Sequence, residues 1–308
     1  MRNLIRSCMR APLLLLVGIA AAIPAQAAYD YTAIDFPGAV GASQAFGINN
    51  SGQIAGDTLT GIGFVYDIKK NTYTAQPTAP DTTSTTAIGI NNPGVTVGGA
   101  TDPSGVERGA IFDKGSYTLF ANPGWFSTEA RGISNNGMVT GYSADSSASN
   151  LTGFLYDPKS NSFTNFLPSP ETIAQGINSR GDIVGDVFLN PGGAYTNSPQ
   201  GFYGFLRHKN GTIVFFNVNG SVRTKARGVS ESGAITGWFI DAVTGVQRGF
   251  VTSLSGQGGF QSLTTDALLD VPGSTATIAE GIDSQGRVCG NWFDASGGEH
   301  GFLATPVK

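Results

Sequence analysis

Gly47-Ile48-Asn49-Asn50-Ser51-Gly52 is the first of six copies of one short phrase in this sequence. Each copy runs glycine, an aliphatic residue, a small polar residue, two variable residues and a second glycine. The other copies begin at Gly89, Gly132, Gly176, Gly228 and Gly281, so that successive starts lie 42 to 53 residues apart. A repeat of this length indicates that one supersecondary unit is used six times in succession.

The phrase has the composition of a tight turn between two antiparallel strands. Its third position is always Asn, Ser or Asp, which favour the first position of a type I turn. The glycine three residues later suits the left-handed conformation that closes such a hairpin. The second copy has Pro93 at a position that a type I turn disfavours, so we expect this turn to be built differently.

Each turn leads into three further strand patterns. In every second strand a β-branched residue precedes a glycine by two positions, as the alternation of a pleated sheet requires. A third strand that starts glycine-phenylalanine begins at Gly63, Gly153, Gly204, Gly249 and Gly301, and Ala110 replaces the aromatic residue in the second copy. Fourth strands are predicted at residues 73–75, 117–120, 163–166, 213–216 and 260–263.

The sixth copy has no fourth strand of its own, because the sequence ends at Lys308 soon after the third. A segment with the character of a fourth strand, residues 31–36, instead precedes the first copy. If this segment completes the last sheet, six four-stranded sheets close into a ring. We therefore predict an all-β fold, a six-bladed β-propeller whose last blade is closed by the N-terminal strand. An open array or a different number of strands remains the alternative.

Residues 1–27 have the three parts of a secretory signal peptide, namely Arg2, Arg6 and Arg10, an apolar run, and a small-residue cleavage site at 25–27. We expect a single propeller domain over 28–308 and release into the periplasm or the medium. The 15 basic and 22 acidic side chains of this mature part give a net charge of −7. This charge disfavours nucleic acid as a partner, and no later segment is apolar enough to predict a membrane span.

Two sets of loops would lie on opposite faces of the ring. The repeated turns occupy one face, and the links between second and third strands, which differ in length, occupy the other, here named the variable face. Binding residues concentrate on variable loops held by a rigid scaffold. Large aromatic residues fall on this face, and we select as candidate ligand-binding residues Tyr142, Tyr195, Trp238 and Trp292. Their rings would suit a carbohydrate or a peptide, and the alternative is that they only pack between adjacent sheets.

No catalytic residue, metal ligand or cofactor is predicted. The only histidines, His208 and His300, fall in different repeats, and neither has a Cys or an acidic residue at a metal-ligand spacing. A glycosidase needs two carboxylates and no histidine. The available acidic candidates are too dispersed in the sequence to choose a pair, and they are Asp57, Asp186, Asp241, Glu280 and Asp294.

The repeats resemble the HAF-type extracellular repeat family. The glycine-phenylalanine third strands carry the resemblance, and residues 299–303, Glu-His-Gly-Phe-Leu, come nearest to that family's signature of histidine, a small residue and phenylalanine. Residues 35–39 and 270–273 resemble its inter-repeat phrase. The resemblance covers nearly the whole mature chain and implies an exported bacterial protein. It supplies no catalytic residue, because the family has no established activity.

Three functions are consistent with these patterns. The leading hypothesis is a secreted, non-catalytic binding or scaffold propeller that recognises a carbohydrate or peptide through its variable face. The alternatives are a carbohydrate-active hydrolase or lyase with carboxylates at the propeller mouth, and a purely structural surface protein. We expect a monomer, and we expect Cys289, the only cysteine of the mature chain, to be a buried small apolar residue.

Overall fold

The protein forms six β-sheets arranged as blades around one axis. A computed structural model describes residues 28–169, 171–189, 200–254 and 258–307, and the predicted signal peptide lies outside this part of the chain. Within these ranges no helix has the length and apolar character needed to cross a membrane. Cys289 is fully buried, which confirms the expectation from the sequence.

The strands follow the six repeats in chain order. β1 (Tyr29–Ile34) precedes blade one, which contains β2 (Ser43–Ile48), β3 (Gln53–Thr58), β4 (Gly63–Asp67) and β5 (Thr72–Ala75). Blade two contains β6 (Ser84–Thr85), β7 (Gly89–Ile90), β8 (Thr96–Thr101), β9 (Glu107–Asp113) and β10 (Ser116–Phe120). Blade three contains β11 (Ser127–Ile133), β12 (Val139–Ala144), β13 (Leu151–Asp157) and β14 (Ser162–Ser169).

The second half of the chain continues the same order. Blade four contains β15 (Thr172–Ile177), β16 (Ile183–Leu189), β17 (Gly201–Arg207) and β18 (Ile213–Val218). Next come β19 (Ser221–Val229), β20 (Ala234–Asp241), β21 (Gln247–Ser253), β22 (Gly259–Leu263) and β23 (Ala267–Leu269). Blade six contains β24 (Ala276–Ile282), β25 (Val288–Phe293) and β26 (Glu299–Pro306).

The N-terminal strand closes the ring, as the sequence predicts. β1 pairs antiparallel with β26, from Tyr29 opposite Pro306 to Ile34 opposite Gly301, and completes blade six. The fold is therefore a six-bladed β-propeller. The paired segment starts and ends two residues earlier than predicted, because Phe36 leaves the sheet and packs against blade one. Its ring lies 5.4 Å from that of Phe64 and 5.8 Å from that of Tyr73, measured between centroids.

The repeated phrase forms the turn between the first and second strands of each blade. Its second glycine has φ between +76° and +97° in all six copies, the left-handed region where a side chain is strained. The Pro93 turn is not built differently, and that expectation is wrong. Gly94 donates to the Asn91 carbonyl at 3.0 Å and Val95 donates to Asn91 Oδ1 at 2.9 Å, as their counterparts do in the first copy. The turn survives because neither bond uses the N–H that proline lacks.

The first glycine of each phrase lets neighbouring blades meet at the axis. A Cβ added to Gly47 would lie 2.6 Å from the Ile88 carbonyl oxygen of the next blade. The equivalent distance is 2.7 to 2.9 Å at the other five copies, and the last of them, at Gly281, is to the Phe46 carbonyl oxygen of blade one. Only glycine fits at this spacing, and the contact between Gly281 and Phe46 brings the last blade against the first.

The core lies between the blades and is built from the third strands. The phenylalanine of this strand is at most 1% exposed in five blades, at Phe64, Phe154, Phe205, Phe250 and Phe302. Burying each ring stabilises the fold by roughly 2 to 3 kcal/mol. Blade two has Ala110 in this place, and the ring of Phe120 from β10 covers Gly109, as Phe166 and Phe216 cover the equivalent glycines of blades three and four. Aromatic rings from the third and fourth strands therefore pack between successive blades.

The fourth strand of blade five is not the one predicted. Residues 260–263 lie in β22, which pairs in parallel with β18 and extends blade four. The fourth strand of blade five is β23, three residues long and paired with β21. The reason is aromatic packing, because the Phe260 ring stacks on Phe215 at 5.2 Å and meets Tyr203 edge-on at 5.3 Å, both in blade four.

Candidate functional site

A bulge in the first strand of the blades aims one side chain at the axis. In blade three the pairing of β11 with β12 passes from Ala130 to Gly132, which leaves Arg131 without a partner residue. Bulges of this kind re-aim a side chain and are common beside binding sites. The residues at this position are Phe46, Arg131, Gln175, Arg227 and Glu280, with Ile88 in the same place in blade two. All six line an axial cavity of about 80 Å³.

A second ring of side chains follows the glycine of each second strand, toward the variable face. Its members are Asp57, Tyr142, Asp186, Trp238 and Asn291. Blade two has Gly99 here, and the Glu107 carboxylate of β9 occupies the vacated space. A Cβ on Gly99 would lie 2.0 Å from Glu107 Oε1. A carboxylate from a third strand thus takes the place of a missing second-strand side chain.

Three ion pairs involve residues of these rings. Arg131 Nε lies 2.9 Å from Glu129 Oε1, and the Tyr142 hydroxyl donates to Glu129 Oε2. Lys225 Nζ lies 2.8 Å from Asp186 Oδ2, joining blades five and four. Arg227 Nε lies 3.7 Å from Glu280 Oε2, joining blades five and six. The three cations near the axis are therefore each matched by one carboxylate.

Three more carboxylates near the axis have no cation of their own among the described residues, and they are Asp57, Glu107 and Glu299. They come from blades one, two and six, which are adjacent in the ring. Gln44 Nε2 donates to Glu299 Oε1 at 2.8 Å, and Asp57 Oδ1 is buried without a hydrogen-bond partner. We name these three carboxylates and the three ion pairs together the axial charge cluster. One side of its ring therefore has more carboxyl groups than cations.

The pKa values of three carboxyl groups in the cluster, Asp57, Glu107 and Glu280, are displaced upward. Burial raises the pKa of Asp57 to about 7, against the opposing charge of Arg131 and with help from Glu129 and Glu299. Burial likewise raises the pKa of Glu107 to about 8, with a contribution from Glu129. Burial also raises the pKa of Glu280, which Arg227 and Arg131 oppose. The largest cause is the same in each case, the removal of a carboxyl group from water.

The candidate aromatic residues do not all meet. Tyr142 and Trp238 lie beside the axial charge cluster, and Trp238 is 7% exposed with its Nε1 lacking a hydrogen-bond partner among the described residues. Trp292 lies elsewhere, with its ring stacked on that of His300 at 4.5 Å. Tyr195 falls outside the described residues. The four remain predicted binding residues, of which two share one location.

The structure gathers acidic residues that are dispersed in the sequence. Asp57, Asp186 and Glu280 all lie in the axial charge cluster. Asp241 and Asp294 do not, because each accepts hydrogen bonds from backbone amides of its own loop. The sequence analysis missed Glu107, Glu129 and Glu299, and also the cations that pair with the cluster. The sequence did contain a signal for the second ring, because each of its members directly follows the glycine of a second strand.

The two histidines each have an acidic neighbour that sequence spacing did not indicate. His300 lies between Asp35, whose oxygens are 3.1 Å from Nδ1, and Asp294, 3.3 Å from Nε2. Burial lowers the pKa of His300, but the hydrogen bonds to these two carboxylates raise it by more, so the net shift is upward. His208 Nδ1 lies 3.0 Å from Asp182 Oδ1. The described side chains include no group of three His, Cys, Asp or Glu arranged to hold a metal ion.

The fold, but not the sequence, is similar to solved structures of other proteins. A TolB-like protein from Agrobacterium tumefaciens superposes with a TM-score of 0.56 and 13% identity, over 86% of this chain and 91% of that one. A streptogramin B lyase gives a TM-score of 0.50 and 11% identity, over 89% of this chain and 97% of that one. No protein-family model and no curated protein matches the sequence. At these identities the similarity shows the propeller fold alone.

Proposed function

We propose that this protein is an exported binding propeller and that its axial charge cluster holds a carbohydrate or peptide ligand by a positively charged group. The observation that carries the proposal is the set of three adjacent carboxylates, Asp57, Glu107 and Glu299, that form no ion pair with a cation of the described residues. The signal peptide predicted at 1–27 supports export to the periplasm or the medium, where a monomeric propeller would meet such ligands.

The arrangement of charge favours an organic cation over a metal ion. Buried carboxylates without counter-ions are costly, and a ligand cation between them would relieve that cost. The described carboxylates are not grouped closely enough to ligate one metal ion. An ammonium or guanidinium group distributes several N–H donors over a wider space. An amino sugar or a basic peptide side chain fits this requirement.

Aromatic side chains beside the cluster suit the rest of such a ligand. Lys225 Nζ lies 5.8 Å from the centre of the Trp238 ring, and Arg131 lies 5.7 Å from that of Tyr142. The unused Nε1 donor of Trp238 supplies one more hydrogen bond to a ligand oxygen. Binding pockets commonly combine aromatic walls with a few polar groups of this kind.

Two ligand pairs that differ only in charge test the proposal. We expect chitosan oligosaccharides to bind at least tenfold more tightly than their N-acetylated counterparts, and a lysine peptide to bind more tightly than its acetyl-lysine form. Isothermal titration would measure both, because acetylation removes the cation and keeps the shape. Trp238→Ala and Asp57→Asn should each weaken binding tenfold or more, and Trp292→Ala reports whether the off-axis candidate contributes. Equal affinity for both members of each pair would refute the charge requirement, and no binding to either would refute the proposed function.

A second candidate function is acid–base hydrolysis of the same class of ligand. The raised pKa of Asp57 supports it, because a carboxyl group that titrates near neutral pH suits a general acid. Glu129, held by Arg131 and Tyr142, would supply the second carboxylate. Cleavage of the chitosan oligosaccharide by the unaltered protein, and its loss in both Asp57→Asn and Glu129→Gln, would show that the protein hydrolyses this ligand rather than only binding it.

Asp57→Asn should stabilise the protein at pH 8 and not at pH 4. The pKa of Asp57 is about 7 in the folded protein and close to 4 in the unfolded chain, so its stabilising contribution is present below pH 4 and is lost as pH rises through 7. Asparagine cannot ionise, so the variant avoids this loss of stability. Its free energy of unfolding at pH 8 should exceed that of the unaltered protein by about 1 to 3 kcal/mol. Urea denaturation at both pH values measures it. A variant that is more stable yet binds less marks Asp57 as a functional residue, and a loss of stability at pH 8 would contradict the assignment.

A further inference from the structure

A larger cavity lies between blades three and four, on the face that carries the repeated turns and lies opposite the variable face. Its volume is about 330 Å³, within the range of small-molecule sites and well above the roughly 80 Å³ at the axis. Met138, Leu155 and Ile177 give it an apolar floor, and Arg207 and Lys209 lie at its rim. The repeated turn of blade four forms one wall. The cavity is therefore separate from the axial charge cluster.

The charges around this cavity do not balance. The adjacent carboxylate, Asp182, already accepts from Arg180 Nε at 3.0 Å, from Asn178 Nδ2 at 3.2 Å, and contacts His208 Nδ1 at 3.0 Å. Arg207 is half-buried and lies 4.9 Å above the centre of the Phe166 ring. Neither Arg207 nor Lys209 forms an ion pair with any carboxylate of the described residues. Burial lowers the pKa of Arg207, as expected for a guanidinium that lacks a counter-ion.

We propose that this cavity binds a small amphipathic anion, a monocarboxylate with an alkyl or aromatic body. The carboxylate pairs with the Arg207 guanidinium, whose planar fork matches two carboxylate oxygens, and Lys209 adds a second positive charge. The body covers Met138, Leu155 and Ile177. A multiply charged ligand such as a nucleotide is disfavoured, because the apolar floor offers its other charges no partners. An uncharged apolar ligand would leave the buried cation unneutralised.

Octanoate and octan-1-ol separate the contributions of charge and apolar body on the unaltered mature protein. We expect octanoate to displace the fluorescent anion 8-anilinonaphthalene-1-sulfonate at a concentration at least tenfold lower than octan-1-ol requires. This comparison needs no variant and so does not depend on the folding of one. Equal displacement by both compounds, or displacement by neither, would overturn the proposal.

Three variants locate the site. Arg207→Gln and the more exposed Lys209→Gln should each weaken octanoate binding, by about tenfold and a few-fold respectively, and Leu155→Trp should block it by filling the cavity. Arg223→Gln is the matched control, because Arg223 also lies over an aromatic ring, that of Phe202 at 3.8 Å, but elsewhere in the molecule. Octanoate affinity that is unchanged in Lys209→Gln and Leu155→Trp would place the binding elsewhere and refute the assignment. Ligands of the axial charge cluster should bind Arg207→Gln, Lys209→Gln and Leu155→Trp normally.

Discussion

Removal of residues 28–36 should unfold the protein or cause it to aggregate. β1 contributes six paired residues to blade six, and its Ile34 is fully buried in the same cluster as Ile54 and Phe64 of blade one. Without it, β26 becomes an exposed edge and the two ends of the ring lose their shared core. We expect the free energy of unfolding to fall by more than about 5 kcal/mol, which is comparable to the whole stability of many domains. Urea denaturation and gel filtration of 37–308 against 28–308 measure the effect.

Point variants within β1 separate pairing from burial. Ile34→Ala should cost about 2 to 4 kcal/mol, because it empties a fully buried position. Thr32→Ala, at an exposed position of the same strand, should cost less than about 0.5 kcal/mol. Addition of a peptide of residues 28–36 to the truncated protein should restore part of the stability. A truncated protein that stays monomeric and unfolds at the urea concentration of the full chain would show that closure contributes nothing.

The ring was predictable because its determinants recur six times in the sequence. Gly47 and its equivalents mark the axis and Gly52 and its equivalents mark the turns, and each follows from a backbone requirement that only glycine meets. The prediction at residues 260–263 failed because the aromatic contacts of Phe260 with Phe215 and Tyr203 outweighed the repeat pattern. A strand identified by composition alone does not reveal which neighbour it will join.

The axial charge cluster was only partly predictable, since it depends on register. Asp57 and Trp238 hold equivalent positions after a second-strand glycine, which the sequence displays. Arg131 reaches the axis through a β-bulge, and the sequence analysis did not predict this bulge. Glu107 enters the ring only because Gly99 leaves space for it, a relation between two strands that appears once their pairing is known. The proposed site is therefore built where the six repeats differ from one another.

Gly281→Ala should strongly destabilise the protein, because the added methyl group would meet the backbone of the neighbouring blade. The added Cβ would lie 2.7 Å from the Phe46 carbonyl oxygen, 3.0 Å from the Ile48 nitrogen and 3.0 Å from Cys289 Sγ. Two of these atoms are backbone of the neighbouring blade, so that relief requires blades six and one to move apart. Overpacking usually costs 1 to 3 kcal/mol, and a backbone clash at the axis should bring the loss to about 4 kcal/mol. Thermal and urea denaturation would measure it.

Two matched glycines distinguish the possible causes of that loss. Gly124→Ala has a left-handed φ of +85° but nothing within 4 Å of its Cβ, so it should lose only about 1 kcal/mol through backbone strain. Gly132→Ala makes the same clash as Gly281→Ala, at 2.8 Å from the Gln175 carbonyl oxygen, between blades that the chain joins directly. If β1 holds the ring shut as firmly as a covalent link does, the two clashing variants should lose equal stability. A much smaller loss for Gly281→Ala would mean that the ring opens at the junction of blades six and one, because an open junction can absorb the extra methyl group.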